Sequence, residues 1–198
     1  MNRFNDAFIK YPTDKPKYAD FYWRYLGGLT PRLLLEIGVL EGGSLRAWQE
    51  IFPTSKIVGI DIDQEAKDKN PDLNIYIGDQ TDTSFLDSVL LEIGTPDIVI
   101  DDGGHSRRQQ VGTFTHLFPI LKGGGLQNNG GIYVIEDLET SYFEAYDDGG
   151  ISAIQMLRDF VDSTDWDGDP QGRKPGDIFH YIYSALVFEP NICLVKKR

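Results

Sequence analysis

Cysteine is nearly absent. Cys193 stands alone, which excludes an intrachain disulfide and a thiolate metal cluster. Basic charge is also short, with 19 Lys and Arg against 31 Asp and Glu and a formal net charge of -12. The only basic clusters are Arg107-Arg108 and Lys196-Lys197-Arg198. A phosphate-binding surface needs clustered cations, so the expectation is no nucleic-acid partner. No apolar run is long enough to cross a bilayer, so no membrane partner is expected. The opening MNRFNDAFIKYP lacks the apolar core of a signal peptide. A cytoplasmic protein is the simplest expectation. Two motifs are missing as well: the G-x-G-x-x-G of dinucleotide-binding turns and the G-x-S-x-G elbow of serine hydrolases.

What remains is an ordinary globular composition, 40% hydrophobic and 25% charged, consistent with one domain over residues 1–198. Residues 14–26, DKPKYADFYWRYL, read as an aromatic-rich amphipathic helix, and residues 1–30 as a helical extension ahead of the main pattern. This segment either covers a ligand as a lid or packs against another subunit of a homo-oligomer. Strands are then expected at 33–37, 56–61, 73–77, 97–101 and 131–135. Helices are expected at 42–52, 64–69, 82–92, 106–121 and 151–161, with two closing strands near 178–184 and 186–196. Such alternation predicts an α/β three-layer sandwich, with a mostly parallel sheet and a C-terminal antiparallel hairpin. Ligands in such sheets bind beyond the carboxyl ends of the strands. Those ends here carry Glu36/Gly38, Asp61, Asp79, Asp101/Asp102 and Glu136/Asp137.

The first strand runs into Glu36-Ile-Gly38-Val-Leu-Glu-Gly42-Gly43-Ser44, an E-x-G-x-x-x-G-x-S turn. Gly38 permits close backbone approach to a ligand and Gly42 relieves crowding where the helix begins. A dinucleotide fingerprint places a pyrophosphate on a helix N-terminus, and this looser loop suits an amino-acid tail better. Asp61 ends the second strand, where a carboxylate can accept hydrogen bonds from ribose hydroxyls. Asp79 and Gln80 follow the third strand, placed for an adenine. Together these point to S-adenosylmethionine rather than a nicotinamide cofactor.

The segments LLLEIGVLEGGSLRAW, VGIDID, GDQTD, PDIVIDDGGH and IYVIEDLETSY, with the early Thr13-Asp14-Lys15 and the closing FHYIYSALVFEPN, resemble the class I (Rossmann-like) methyltransferases. Within them the chain is similar to the metal-dependent sugar O-methyltransferases of macrolide and tetracenomycin antibiotic biosynthesis. The resemblance implies methyl transfer from S-adenosylmethionine to a hydroxyl of a small molecule, with Mg²⁺ or Mn²⁺ as second cofactor. It further implies Asp102, Glu136 and Asp137 as metal ligands and His105 as general base. Asp101 would hold the loop or face the cofactor, and is the second choice as ligand. A hard dication takes oxygen ligands, and it lowers the pKa of a bound hydroxyl. A neutral-range imidazole suits removal of that proton.

Each feature also has an ordinary structural reading. Asp102 or Ser106 could merely cap the helix that follows. His116 falls inside a helix and reads as structural or exposed, while His180 faces a cavity or simply packs. Asp165-Trp-Asp167-Gly-Asp169 fails as a calcium loop, since Gly176 stands where a bidentate Glu is needed. The segments 138–150 and 163–176 read as lid loops carrying Tyr142, Phe143, Tyr146 and Trp166 for stacking on a sugar or flat aglycone. A vicinal diol on a glycoside or a catechol would chelate a metal. The rival readings are a metal-free or differently acting enzyme on the same fold, such as the cephalosporin hydroxylase-like proteins, and a non-catalytic interaction domain.

Overall fold

The computed structural model describes residues 2–123, 131–162 and 183–197. Trp166, His180, the segment 163–176 and the expected strand residues 178–182 lie outside the described residues. So do residues 124–130.

The chain opens with α1 (Arg3–Lys10), a helix the strand–helix alternation leaves out. Its cause is local. The Asn2 side chain accepts from the Phe4 and Asn5 amides, and Phe4, Ala7 and Phe8 form an apolar stripe at i, i+3 and i+4. The expected helix over 14–26 is divided into a single 3-10 turn, Lys15–Tyr18, and α2 (Ala19–Leu26). Pro16 sits in the first turn, where its missing N–H costs nothing.

Five parallel strands follow: β1 (Leu33–Ile37), β2 (Lys56–Asp61), β3 (Ile75–Ile77), β4 (Ile98–Asp101) and β5 (Ile132–Ile135). Between them run α3 (Gly43–Ile51), α4 (Gln64–Lys69), α5 (Thr83–Ile93) and α6 (Arg107–Leu117). After β5 the chain forms 3-10 turns at Leu138–Tyr142 and Glu144–Tyr146, then α7 (Ala153–Asp162). The segment 138–150 is therefore ordered, and it is anchored: Asp148 accepts from Ser106 Oγ and the Arg108 amide, while Asp147 pairs with Arg107.

The closing pair is β6 (Tyr183–Glu189) and β7 (Ile192–Lys197), antiparallel to each other, with β7 antiparallel to β5. The expected break near residue 185 is thus displaced to Pro190-Asn191. Proline has no amide for the ladder, and Asn191 takes φ +64°, a left-handed conformation that asparagine tolerates.

Sheet order is β3-β2-β1-β4-β5-β7-β6. The chain reverses direction of growth between β1 and β4, the switch point where such sheets open a ligand crevice. β1, β4 and β5 are buried along their whole length, as expected of strands covered on both faces. One face is packed by α1, α2 and α3 around Trp48, whose ring meets Phe8 and Tyr22 edge-on, each at 5.0 Å. The other is packed by α5, α6 and α7 around Phe114, Phe118, Leu157 and Phe160. No helix among the described residues is long and apolar enough to cross a membrane.

Candidate functional site

A cavity of about 600 Å³ opens over the carboxyl ends of β1, β2 and β4, a size that suits a small molecule. Of the residues singled out above, Gly38, Ser44, Asp61, Asp79, Gln80, Asp102, His105 and Asp137 are on its wall. Glu36, Gly42, Asp101 and Glu136 are not.

At the β1 end, Gly38 has φ +87°, and a Cβ there would overlap the Asp102 carbonyl. The first turn and the loop after β4 therefore touch backbone to backbone, which only glycine allows. Gly42 takes φ +79° at the start of α3. Asp61 braces this turn from the next strand. Its Oδ2 accepts from the Val39 and Leu40 amides at 2.8 and 2.9 Å, and its Oδ1 from the Asp63 amide at 2.8 Å. Leu40 and Ile62 line the cavity while remaining largely open to solvent. Asp79 closes its own turn, accepting from the amide and hydroxyl of Thr81.

Gln80 and Asp101 work inside the protein. Gln80 is buried, donates to Asp101 Oδ1 and Thr113 Oγ1, and accepts from the Gly104 amide. Asp101 accepts a further bond from Tyr133 at 2.7 Å, and burial pushes its carboxyl up to about 7. These bonds tie the β4 loop to the sheet, the first of the two roles considered for Asp101.

Glu36 is likewise buried beneath the cavity. Its Oε2 accepts from Ser44 and its Oε1 from Trp48 Nε1, so it joins the first turn to the aromatic core.

The carboxylates after β4 and β5 are not helix caps. Ser106 caps α6, in a reciprocal box with Gln109. Asp137 makes no capping bond to the turn that follows it. Instead Asp102, His105 and Asp137 each offer a ligand atom, all within 4.8 Å of one another. His105 Nε2 lies 3.7 Å from Asp137 Oδ2 and 4.0 Å from Asp102 Oδ1. His105 and Asp137 hold left-handed backbones, φ +59° and +52°. Non-glycine residues in this region cost roughly 1–3 kcal/mol each and concentrate at functional sites. His105 Nδ1 is buried without a hydrogen-bond partner. Glu136 stands apart from this trio: it is fully buried, its Oε1 is bonded, and its Oε2 has no partner.

At the centre lies a residue to which the sequence pattern assigned no role. The Lys15 ammonium is fully buried and lies 2.6 Å from Asp102 Oδ2, 2.8 Å from Glu136 Oε1 and 3.1 Å from Glu36 Oε1. Burial alone would lower its pKa, but Glu136, Glu36 and Asp102 outweigh that and keep it charged. One ammonium cannot neutralise three carboxylates. Burial accordingly pushes Glu136 up to about 8 despite the pull of Lys15. A hard cation beside these oxygens would relieve that excess of buried negative charge.

No protein-family model matches the chain. It is 36% identical over 177 residues to the 8-demethyl-8-alpha-L-rhamnosyl tetracenomycin-C 2'-O-methyltransferase of Streptomyces olivaceus, covering 83% of this chain and 45% of that protein. With the mycinamicin VI 2''-O-methyltransferase of Micromonospora griseorubida it shares 34% identity over 182 residues, 83% of this chain and 43% of that one. The solved structure of the MycE methyltransferase from the mycinamycin biosynthetic pathway, in complex with Mg and SAH, superposes with a TM-score of 0.79. That match has 30% identity and covers 98% of this chain and 53% of that one. The chain carries the class I methyltransferase fold. Its homologues are sugar O-methyltransferases of macrolide and tetracenomycin pathways. It spans about half the length of the curated relatives it matches.

On this methyltransferase fold, the residues missed from sequence are Leu40 and Ile62 on the cavity wall and a cluster within one stretch, residues 15–22. Besides Lys15, Tyr22 donates to Glu136 Oε1, and Tyr18 and Lys17 donate to Asp137 Oδ1 at 2.7 and 2.8 Å. Burial would raise the Asp137 carboxyl, but the bonds from Lys17 and Tyr18 win and hold it below the usual range. The available signal was a stripe of Lys15, Tyr18 and Tyr22 at i, i+3 and i+7 on an aromatic helix. His116, by contrast, pairs with Asp87 at 2.8 Å far from the cavity.

Proposed function

We propose that the chain transfers a methyl group from S-adenosylmethionine to a hydroxyl of a small molecule, with a deoxysugar of a natural product as the preferred acceptor. The observation that carries this reading is the Asp102–His105–Asp137 group on the wall of the cavity formed by Gly38, Ser44 and Asp61. Solved MycE structures pair Mg with SAH, and one adds mycinamycin VI.

Gly38 and Ser44 would hold the cofactor's amino-acid end, Asp61 its ribose, and Asp79, with Leu40 and Ile62 beside it, its adenine; Gln80, placed for the adenine from sequence, is instead bonded to Asp101, Thr113 and Gly104. Asp61 has lone pairs left for hydroxyl donors beyond its backbone bonds. Asp102, Asp137 and Glu136 would hold Mg²⁺ or Mn²⁺: hard oxygens of the first two converge near His105, and the buried Glu136 Oε2 has no protein partner. A dication held there would supply Lewis acidity toward the acceptor hydroxyl. His105 takes the hydroxyl proton as the oxygen–methyl bond forms and the sulfonium–methyl bond breaks, leaving a neutral thioether. Tyr146, whose ring lies 6.2 Å from His105, and the half-exposed Phe143 form an aromatic wall for the acceptor.

Calorimetry with adenosylhomocysteine, with and without Mg²⁺, tests the reading. Micromolar binding is expected, and no binding in either condition sinks it. Methyl transfer to glycosides that survives EDTA would overturn the metal half alone, with the Lys15 ammonium then left as the resident cation of the site.

A further inference from the structure

The three carboxylates assigned to the metal share a pattern. Each has one oxygen held by the stretch Lys15–Tyr22 and the other left over. Asp102 gives Oδ2 to Lys15 and turns Oδ1 toward His105. Asp137 gives Oδ1 to Tyr18 and Lys17 and turns Oδ2 toward His105. Glu136 gives Oε1 to Lys15 and Tyr22, and its buried Oε2 has no partner. Three donors from one helical stripe thus reach acids more than eighty residues away in sequence.

We infer that Lys15, Tyr18 and Tyr22 are positioning residues for the divalent cation: they fix one oxygen of each carboxylate so that the other is presented to the metal. This rests on the metal reading above and goes beyond it by giving the N-terminal stripe a role. The physical reason is entropic and electrostatic. A free carboxylate rotates and can bind a cation through either oxygen or both, whereas one held at one oxygen offers a single, preset donor. The Lys15 charge also offsets part of the repulsion among buried acids before any cation arrives. Lys15 and Tyr22 are wholly buried, so these bonds are not exchanged with water.

The test is Mn²⁺ titrated calorimetrically into the adenosylhomocysteine-loaded full chain and its variants. Tyr22→Phe and Tyr18→Phe each remove one hydroxyl and keep the ring. Each is expected to weaken Mn²⁺ by about 10- to 100-fold, the usual loss when a partner of a metal ligand is removed. Adenosylhomocysteine affinity and melting temperature should stay at the parent values. Lys15→Met strips the charge and is expected to unfold or to lose Mn²⁺ entirely, so a paired variant, Lys15→Met with Glu36→Gln, removes one acid along with the ammonium. That pair should fold and bind Mn²⁺ more weakly than the parent.

Parental Mn²⁺ affinity in both phenylalanine variants overturns the inference and leaves the metal reading intact. An equal loss of Mn²⁺, adenosylhomocysteine and melting temperature also overturns it, since that marks a merely structural role. If the parent chain itself binds no Mn²⁺, the metal reading falls and the inference with it.

Discussion

The two ends of the cavity hold their carboxylates in different ways. At the proposed cofactor end, Asp61 is held by three backbone amides, two from the turn after the neighbouring strand and one from its own turn. At the proposed metal end, Asp102 and Asp137 on the cavity wall and the buried Glu136 are held by side chains of Lys15, Lys17, Tyr18 and Tyr22, and each retains an oxygen. Backbone amides come with the fold and tolerate substitution around them. A lattice of side chains is specific, charged and expensive to disturb. The first end is thus a product of local strand–turn–helix geometry, and the second depends on side chains brought together from distant parts of the chain.

The largest separation of the two ends is expected at Asp137. Asp137→Ala is expected to lower methyl transfer at least about 100-fold while leaving adenosylhomocysteine affinity within about twofold, since the loss belongs to the metal end alone. Turnover assays beside calorimetry check this, and a matching collapse of cofactor binding would show that the two ends are not separable. His105→Ala should cost about 10² to 10⁴ in kcat, the usual contribution of a positioned general base. Its Mn²⁺ affinity should change far less than that of Asp137→Ala.

Asp61→Ala acts at the opposite end of the cavity. It leaves the buried Val39's amide without its acceptor and should weaken adenosylhomocysteine by about 10- to 100-fold, in line with roughly 1–3 kcal/mol for a buried group left unpaired. Mn²⁺ binding should be retained. The smallest effect is expected at His116, whose pair with Asp87 lies on the surface near neither end. His116→Ala should shift stability by under about 1 kcal/mol in a urea melt and leave both ligands unaffected.

Most of the fold was legible because its signals are local. The runs Leu33–Ile37, Lys56–Asp61 and Ile98–Asp101 stand at the expected positions, as do the helices between them. The strand ends carry the acids the pattern pointed to. What failed were edges and caps. The hairpin turn lies at Pro190-Asn191, where a proline and a left-handed asparagine outweigh the alternation of the flanking residues. α1 falls inside the helical extension expected over residues 1–30, but its own bounds, set by the Asn2 cap and a short apolar stripe, were not resolved from the longer aromatic segment at 14–26. Within the site, Asp101 and Gln80 are strand-end polar residues like Asp61, yet they turn inward to Tyr133, Thr113 and Gly104. Nothing in a linear pattern distinguishes an acid facing the crevice from one facing the loop beneath it.

Sequence alone therefore determined which strand ends would carry acids and a glycine turn, since strand alternation and φ-positive glycine are properties of a few adjacent residues. It also placed His105 three residues beyond Asp102. Only the tertiary structure decided that Lys15, Tyr18 and Tyr22 would lie over those acids. Those contacts join residues 87 to 121 positions apart, and their energy exists only once both partners leave water together. A buried lysine has no signature of its own in a sequence, because what permits it is the company of three carboxylates that other strands bring.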